Sequence, residues 1–396
     1  MMLTVEEAEK VLLEQALDWG VRSCALNEAL GEILKEESRA DRDFPPFDRV
    51  AMDGYAISRC EDVLGKTFPI QGEQKAGDPP LALESETHCI SVSTGAVLPI
   101  GTQLVIKKED VICHGDSVSV TLNLSQDNVH VKGSDYPKGR LLIDKHTRIT
   151  PTQIGVLASI GKETVLVAKR PRIAIVSTGG ELVPVSQAPL PHQIRQSNAS
   201  VVKSALARDG FNDTHCFHLE DKYEDVELSM AQKLDAFDVI ITLGGVSAGD
   251  FDFLPRALQS LSVKTLFYKV MQRPGKPFWA GRKGGAIVFA LPGNPVSAMV
   301  CLYRYVLPSL SAYLGDMKRL SQTILLAEDI VFAKALTLFK PVQVSNIHGQ
   351  LLAMPVHVNG SGDLASLVLS SGFVECDSKL ERFPKGSSLA YYPWYR

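Results

Sequence analysis

The residues able to do chemistry stand at the ends of short apolar runs. Glu181, Asp221, Asp250 and Asp252 supply carboxylate oxygens, the ligand type taken by a hard cation such as magnesium. Arg273 and Lys276 flank Pro274-Gly275 and can grip a phosphate or another oxyanion, with Lys269 just upstream. Asn294, in LPGNP, stands where a helix N-cap belongs, and the free N–H groups of that helix suit an anion. A basic clamp beside carboxylates implies a nucleotide or phosphorylated substrate held with metal. None of these turns matches GxGxxG or a Walker A loop, so a Rossmann dehydrogenase and a P-loop enzyme are poor fits.

Positioning such groups requires strands that end where the groups begin. In FDVIITLGGVSAGDFD a β-branched run at Val239–Ile241 reads as a strand buried on both faces, which needs helices above and below it. Gly244 and Gly245 follow, permitting positive φ and close approach of a ligand, and Ser247 adds a hydroxyl. RIAIVSTGGEL repeats the plan, with Ser177 and Glu181 at the exit, and QRPGKP and LPGNP are further exits. Helices expected at 200–208, 224–234 and 254–261 alternate with strands near 172–176, 215–218, 239–241, 265–270 and 286–290. A sustained β-α-β rhythm specifies a parallel, doubly wound sheet, whose ligands bind beyond the strands' carboxyl ends.

The rest of the chain frames this unit. Residues 4–35 read as two helices: Thr4 and Glu7 have capping-box spacing, and Asn27 stands before EALGEILKEE as an N-cap. The segment ADRDFPPFDRVAMDGYAI keeps Phe44, Phe47, Met52 and Tyr55 beside Asp48 and Asp53, as a loop pinned against a neighbour does. Short strands from about residue 67 to 124, with Thr94 in an STG turn, predict an inserted β domain, followed by NVHVKGSDYPKG with Asp135. PTQIGVLASIG predicts a helix that packs against those at 4–35. Expected boundaries are 1–40 plus 137–168 for a discontinuous helical domain, 41–136 for its β insert, 169–318 for the α/β domain and 319–396 for a C-terminal β domain. The aromatic end, Tyr391 to Tyr395, suits packing better than ligand binding.

Composition narrows the function classes. At 396 residues with a net charge of -4, the chain offers no basic field for nucleic acid. No apolar run approaches the roughly 20 residues that span a bilayer, and MMLTVEEAEK lacks the order of a signal peptide, which makes the cytoplasm the expected location. Seven scattered cysteines without a CxxC pair suggest neither a disulfide framework nor zinc.

PPFDRVAMDGYAI, STGAVLPIG, VSTGGEL, GGVSAGDFD, RPGKP, LPGNPVSA and GSGDLASL stand in this order over residues 45 to 367. Together they resemble the molybdopterin molybdenumtransferase family, the MoeA proteins related to the E domain of gephyrin. The resemblance implies an elongated homodimer with four domains: the discontinuous helical domain, its β insert, a molybdopterin-binding α/β domain and a C-terminal β-barrel-like domain. It implies insertion of molybdate into adenylylated molybdopterin with magnesium-dependent cleavage and release of AMP, the substrate coming from an adenylyltransferase and the product passing to molybdoenzymes. By matching position, Asp53, Glu181, Asp221, Asp252 and Lys269 are its catalytic residues, and Glu181, Asp221 and Asp252 its metal ligands. Thr94, Asp135, Ser177, Gly244, Gly245, Ser247, Arg273, Lys276, Pro277, Pro292, Asn294, Pro295 and Ser361 are its substrate-binding residues. Asp53, Thr94 and Asp135 would reach the α/β domain of the partner subunit.

Departures are specific. Gly180 replaces a usual Asp or Asn, Gln196 a common Asp, Gln103 a common acidic residue and Arg273 a frequent lysine. ALTLFKPV lacks the family's arginine near molybdate, leaving Lys334 or Lys340 as substitutes. A second reading, a catalytically weak molybdopterin-binding or scaffold protein of the same fold, follows from those losses. A third, adenylylation alone, sits poorly with the β insert and its MDGY loop.

Overall fold

A computed structural model describes residues 2–60, 62–122, 126–220, 223–246, 253–316 and 322–395. Every residue of strand Ile173–Thr178 is buried, and its side chains alternate between two cores. Ile173 and Ile175 belong to one, Ala174 and Val176 to the other, and Val239–Leu243 divides in the same way. Helix Asn198–Arg208 and the helical run from Pro295 to Tyr313 supply the first core; helices Tyr223–Ala236 and Phe253–Ser260 supply the second. The two-faced burial expected of the VII run is therefore present, with one layer of helices on each side.

Strand order in this sheet is Thr214–Leu219, Ile173–Thr178, Val239–Leu243, Ala286–Leu291, Trp279–Lys283, Lys264–Tyr268. The first three pairings are parallel. Trp279–Lys283 runs antiparallel to both neighbours, which corrects the expectation of an all-parallel sheet. Its cause is local: Gly284-Gly285 joins Lys283 to Ala286 as a two-residue hairpin, with Gly284 at φ +58°. From Ile173–Thr178 the chain crosses first to one side and then returns to the other, so the topological switch lies between Thr178 and Leu243.

Helix Val5–Leu13 opens with the expected capping box: Glu7 N–H donates to Thr4 Oγ1 at 3.2 Å and Thr4 N–H to Glu7 Oε2 at 2.8 Å. The second helix is not formed. Val21–Ala25 is instead a strand paired with Thr164–Ala168, followed by a 3-10 turn at Leu26–Glu28. Here Gly31 turns at φ +80° and donates its N–H to Ile149 O, while Cys24, Ala29 and Leu34 join a core with Leu157, Val165 and Val167. Long-range packing outweighs the helical propensity of the segment. Helix Pro151–Ser159 packs into that core, whereas Val5, Ala8 and Leu12 pack into the α/β domain, so the two helices do not meet as expected.

The inserted region forms a six-stranded sheet in the order Leu104–Lys107, Gly54–Ile57, Cys89–Val92, Thr67–Gln74, Ser117–Val120, Val111–Cys113. The 40–57 loop is pinned as anticipated: Phe44 N–H donates to Tyr136 O at 2.8 Å, and Lys132 N–H to Asp48 Oδ1 at 2.8 Å. At the C-terminal end, Thr337–Ile347 pairs with both Gln350–Pro355 and Gly372–Cys376, and Gln322–Leu326 and Ser388–Pro393 complete the circuit. The result is a closed five-stranded barrel, tied to the α/β domain by the parallel pairing of Gln272–Arg273 with Thr337–Leu338. Trp394 packs among Tyr303 and Phe373, in line with a packing role for the aromatic tail.

Candidate functional site

Two cavities lie beyond the carboxyl end of the α/β sheet. The first, about 680 Å³, sits at the topological switch between the exits of Ile173–Thr178 and Val239–Leu243. Ser177, Glu181, Gly244, Gly245, Pro292 and Asn294 line it. Gly244 and Gly245 have φ of +97° and +70°, and a Cβ on Gly244 would stand 3.0 Å from Thr178 Oγ1. Any larger residue would be strained and would push two strand exits apart. The bare backbone they leave is open to a ligand.

Glu181 is exposed on the rim of this cavity, its carboxylate folded back over Gly179. Beside it, a Cβ on Gly180 would meet nothing within 4 Å. A side chain at that position would therefore enter open space. Asp221, Ser247 and Asp252, and with them Asp250, lie outside the described residues. Among the described residues no three His, Cys, Asp or Glu side chains gather to hold a metal ion.

The second cavity, about 760 Å³, lies between the α/β domain and the barrel. Arg273, Lys276 and Lys340 line it, giving three cationic side chains against one lining carboxylate, Asp329. That carboxylate is already matched: Arg382 Nη2 donates to Asp329 Oδ2 at 2.6 Å and Lys385 N–H to Oδ1 at 2.7 Å. The Lys385 amide and Arg382 together hold its carboxyl below the usual range. The cavity's unbalanced charge is positive, which suits an oxyanion. Burial lowers the pKa of Lys340 from the usual lysine value. Lys340, at a barrel position two residues beyond Leu338, lines the same cavity as Arg273 and Lys276, whereas Lys334 does not line it.

Pro277, Pro292 and Asn294 line both cavities, so the two are neighbours across one shared rim. Asn294 occupies the N-cap position of the helix that starts at Pro295, yet its side chain makes no cap hydrogen bond. It donates instead to Ser361 Oγ at 2.9 Å, while Val296 N–H donates to Ser361 O at 3.0 Å. This corrects the expected capping role and brings Ser361 to the rim. Lys269 lines neither cavity; it has φ +74° and its Nζ lies 4.9 Å from the Tyr268 ring centroid, Tyr268 in turn donating to Val246 O at 3.2 Å.

Asp53, Thr94 and Asp135 also line neither cavity of their own chain. Asp53 Oδ1 accepts from both Thr94 N–H and Thr94 Oγ1 at 2.6 Å, and these two bonds hold its carboxyl below the ordinary value. Gly54 follows because a Cβ there would collide with the Ile106 carbonyl across the strand pair. Asp135 Oδ1 lies 2.9 Å from His130 Nε2, and His130 Nδ1 lies 2.9 Å from Arg49 Nη2. Sequence reasoning missed Arg195 and Asn198 at the first cavity. Asn198 Nδ2 donates to Gly293 O at 2.6 Å, bracing the LPGNP loop. Their only signal was proximity to the helix start after the STGGEL turn.

Comparison with known proteins matches this architecture segment by segment. Residues 3–161 match the MoeA N-terminal region (domain I and II), residues 174–312 a probable molybdopterin binding domain, and residues 323–394 the MoeA C-terminal region (domain IV). The chain is 34% identical to a molybdopterin molybdenumtransferase of Synechocystis, over 99% of this chain and 100% of that one. It is 30% identical to one of Bacillus subtilis, over 88% of this chain and 84% of the other. A crystal structure of a molybdopterin biosynthesis MoeA protein from Pyrococcus horikoshii superposes with a TM-score of 0.84 at 26% identity, covering 99% of this chain and 100% of that chain.

Proposed function

Because the chain belongs to the MoeA family of molybdopterin molybdenumtransferases, enzymes of molybdenum cofactor biosynthesis, we propose that its two neighbouring cavities bring adenylylated molybdopterin and molybdate together. The observation that carries this reading is the shared rim of Pro277, Pro292 and Asn294 between a glycine-lined cavity and a cationic one. The pterin-nucleotide occupies the switch-point cavity, and molybdate the cavity of Arg273, Lys276 and Lys340. Two anions must meet there, and the cationic side chains offset their repulsion. Ser361, held by Asn294, presents a hydroxyl at the junction. The two dithiolene thiols bind molybdenum in place of one molybdate oxygen, which leaves with their protons as water; a second water cleaves the phosphoanhydride, and AMP leaves.

Magnesium fits the donor chemistry of the first cavity, whose rim offers a carboxylate and hydroxyl oxygens from Glu181, Ser177 and Thr178. When bound, it would offset charge on the phosphoanhydride; Glu181 would hold it, with Asp221 and Asp252 as the carboxylates added by family resemblance. Asp53, Thr94 and Asp135, which line neither cavity of their own chain, are assigned to the site of a second copy in a homodimer. Cytoplasmic location, receipt of substrate from an adenylyltransferase and delivery to molybdoenzymes complete the proposal; among the described residues no helix is long and apolar enough to cross a membrane.

Purified protein incubated with adenylylated molybdopterin, molybdate and magnesium should release AMP, and omission of either ion should slow it. Intact substrate after prolonged incubation refutes the reading. Mixing Asp53→Ala with Lys276→Ala protein, each inactive alone, should restore partial turnover through hybrid dimers. No recovery refutes the shared site.

A further inference from the structure

Under the RPGKP loop, on the wall of the cationic cavity, is a buried polar side chain. Gln272 is 1% exposed, and its side-chain amide donates to Pro274 O at 3.0 Å and to Gly275 O at 3.3 Å. Its Oε1 accepts from the hydroxyl of Tyr305, itself 1% exposed and carried on the π-helical stretch Leu302–Val306. Only this orientation of the amide satisfies all three partners, so its two ends are assigned by the network. Cys301, fully buried, sits against the same carbonyl, its Sγ 3.7 Å from Gly275 O, and burial pushes its thiol pKa up so that it stays protonated and able to donate.

The Pro274–Gly275 and Gly275–Lys276 peptides are trans, since Phe44-Pro45 and Arg273-Pro274 are the cis bonds among the described residues. In a trans peptide C=O and N–H point in opposite directions. Both carbonyls face the buried Gln272, so the N–H groups of Gly275 and Lys276 face the other way. Neither N–H donates to another described residue. Gly275, at φ +88°, has no room for a Cβ between Gln272 and Cys301. Two successive unpartnered N–H groups around a residue of positive φ make an anion-binding concavity, here flanked by Arg273 and Lys276 in the cationic cavity.

We infer that the Gly275 and Lys276 N–H groups are an oxyanion site, and that Gln272 is the positioning residue that presents them. This rests on the reading of that cavity as the molybdate site. Gln272 suits the task because it offers two donors and one acceptor on one planar group. Methionine of similar volume offers none, and a carboxylate would set negative charge against two carbonyls.

Calorimetric titration of the full chain with inorganic molybdate, and separately with adenylylated molybdopterin, tests the inference. Gln272→Met should weaken molybdate binding about tenfold to a hundredfold, the scale of one or two lost hydrogen bonds to a charged group, and leave pterin-nucleotide binding unchanged. Tyr305→Phe, which keeps the ring, should give a smaller loss in the same direction. Gln272→Glu should be weak at alkaline pH and recover toward wild type as pH falls, because the protonated acid regains one donor. Wild-type affinity for molybdate in Gln272→Met, an equal loss for both ligands, or no pH recovery in Gln272→Glu overturns the inference. Wild-type protein that binds no molybdate overturns the assignment of the cavity itself, and the inference with it.

Discussion

Removing Arg304 should destabilise the protein by about 3 kcal/mol, at the low end of the ~3–5 kcal/mol seen when a buried ion pair loses one member. Its side chain is 5% exposed, and its Nε donates to Glu375 Oε2 at 2.9 Å while Nη1 reaches Glu9 Oε1 at 2.9 Å. Glu375 is 14% exposed and also accepts from Tyr392 at 2.8 Å. Arg304→Met leaves Glu375 nearly buried with only that hydroxyl, whereas Glu9, 39% exposed, regains water, which is why the lower end applies. Urea unfolding followed by tryptophan fluorescence should show the loss. Adding Glu375→Leu should recover most of it, because two apolar residues no longer strand a charge. Arg304→Met within 1 kcal/mol of wild type, or a double variant less stable than the single one, refutes this accounting.

Lys340→Met should raise the molybdate KM about tenfold or more, by removing one charge-assisted donor from the cavity. Because burial lowers the Lys340 pKa below the usual 10.5, molybdate affinity should fall with rising pH earlier than an exposed lysine would give. A pH profile unchanged by the substitution contradicts that. The Asp53 carboxylate, held low by Thr94, contributes its pairing above the ordinary 3.8 and loses it as pH falls through the folded value. Thr94→Val, which keeps the backbone donor, should raise the Asp53 pKa toward 3.8, read by carbon NMR titration; an unmoved value removes the Thr94 hydroxyl as the leading cause. Gly180→Asp, which faces open space, should leave the melting temperature within ~1 °C and increase magnesium affinity, and a destabilised variant would show the space is needed.

Much of the α/β domain was legible because its signals are local. The buried run Val239–Leu243 and the turn at Gly244-Gly245 each follow from the residues that form them. The strand Trp279–Lys283 was missed although Gly284-Gly285 announced its hairpin, since QRPGKP drew the reading toward a loop. The segment 21–35 was misread because its helical composition is overruled by partners more than 100 residues away, such as Thr164–Ala168. Site residues on strand exits were read by type and spacing. Lys340 was reachable only as a substitute, because its place beside Arg273 depends on how the barrel strand docks. Asp53 with Thr94 was assigned to a partner's site only through the resemblance, since nothing in the residues themselves says that neither cavity of the same chain is lined by them.

The first helix has a consequence for how the chain matures. Val5, Ala8 and Leu12 are fully buried, yet their neighbours come late: Tyr313 donates to Leu12 O at 2.6 Å across 301 positions, and Glu9 meets Arg304. During synthesis the helix precedes the last of these neighbours by 301 positions, and its apolar face is not fully covered until they follow. At ribosomal rates of about 5–20 residues per second that interval lasts tens of seconds. A fragment beginning at the α/β strands would expose the surface this helix covers. Excising the domain for separate study therefore calls for carrying residues 2–17 along with it.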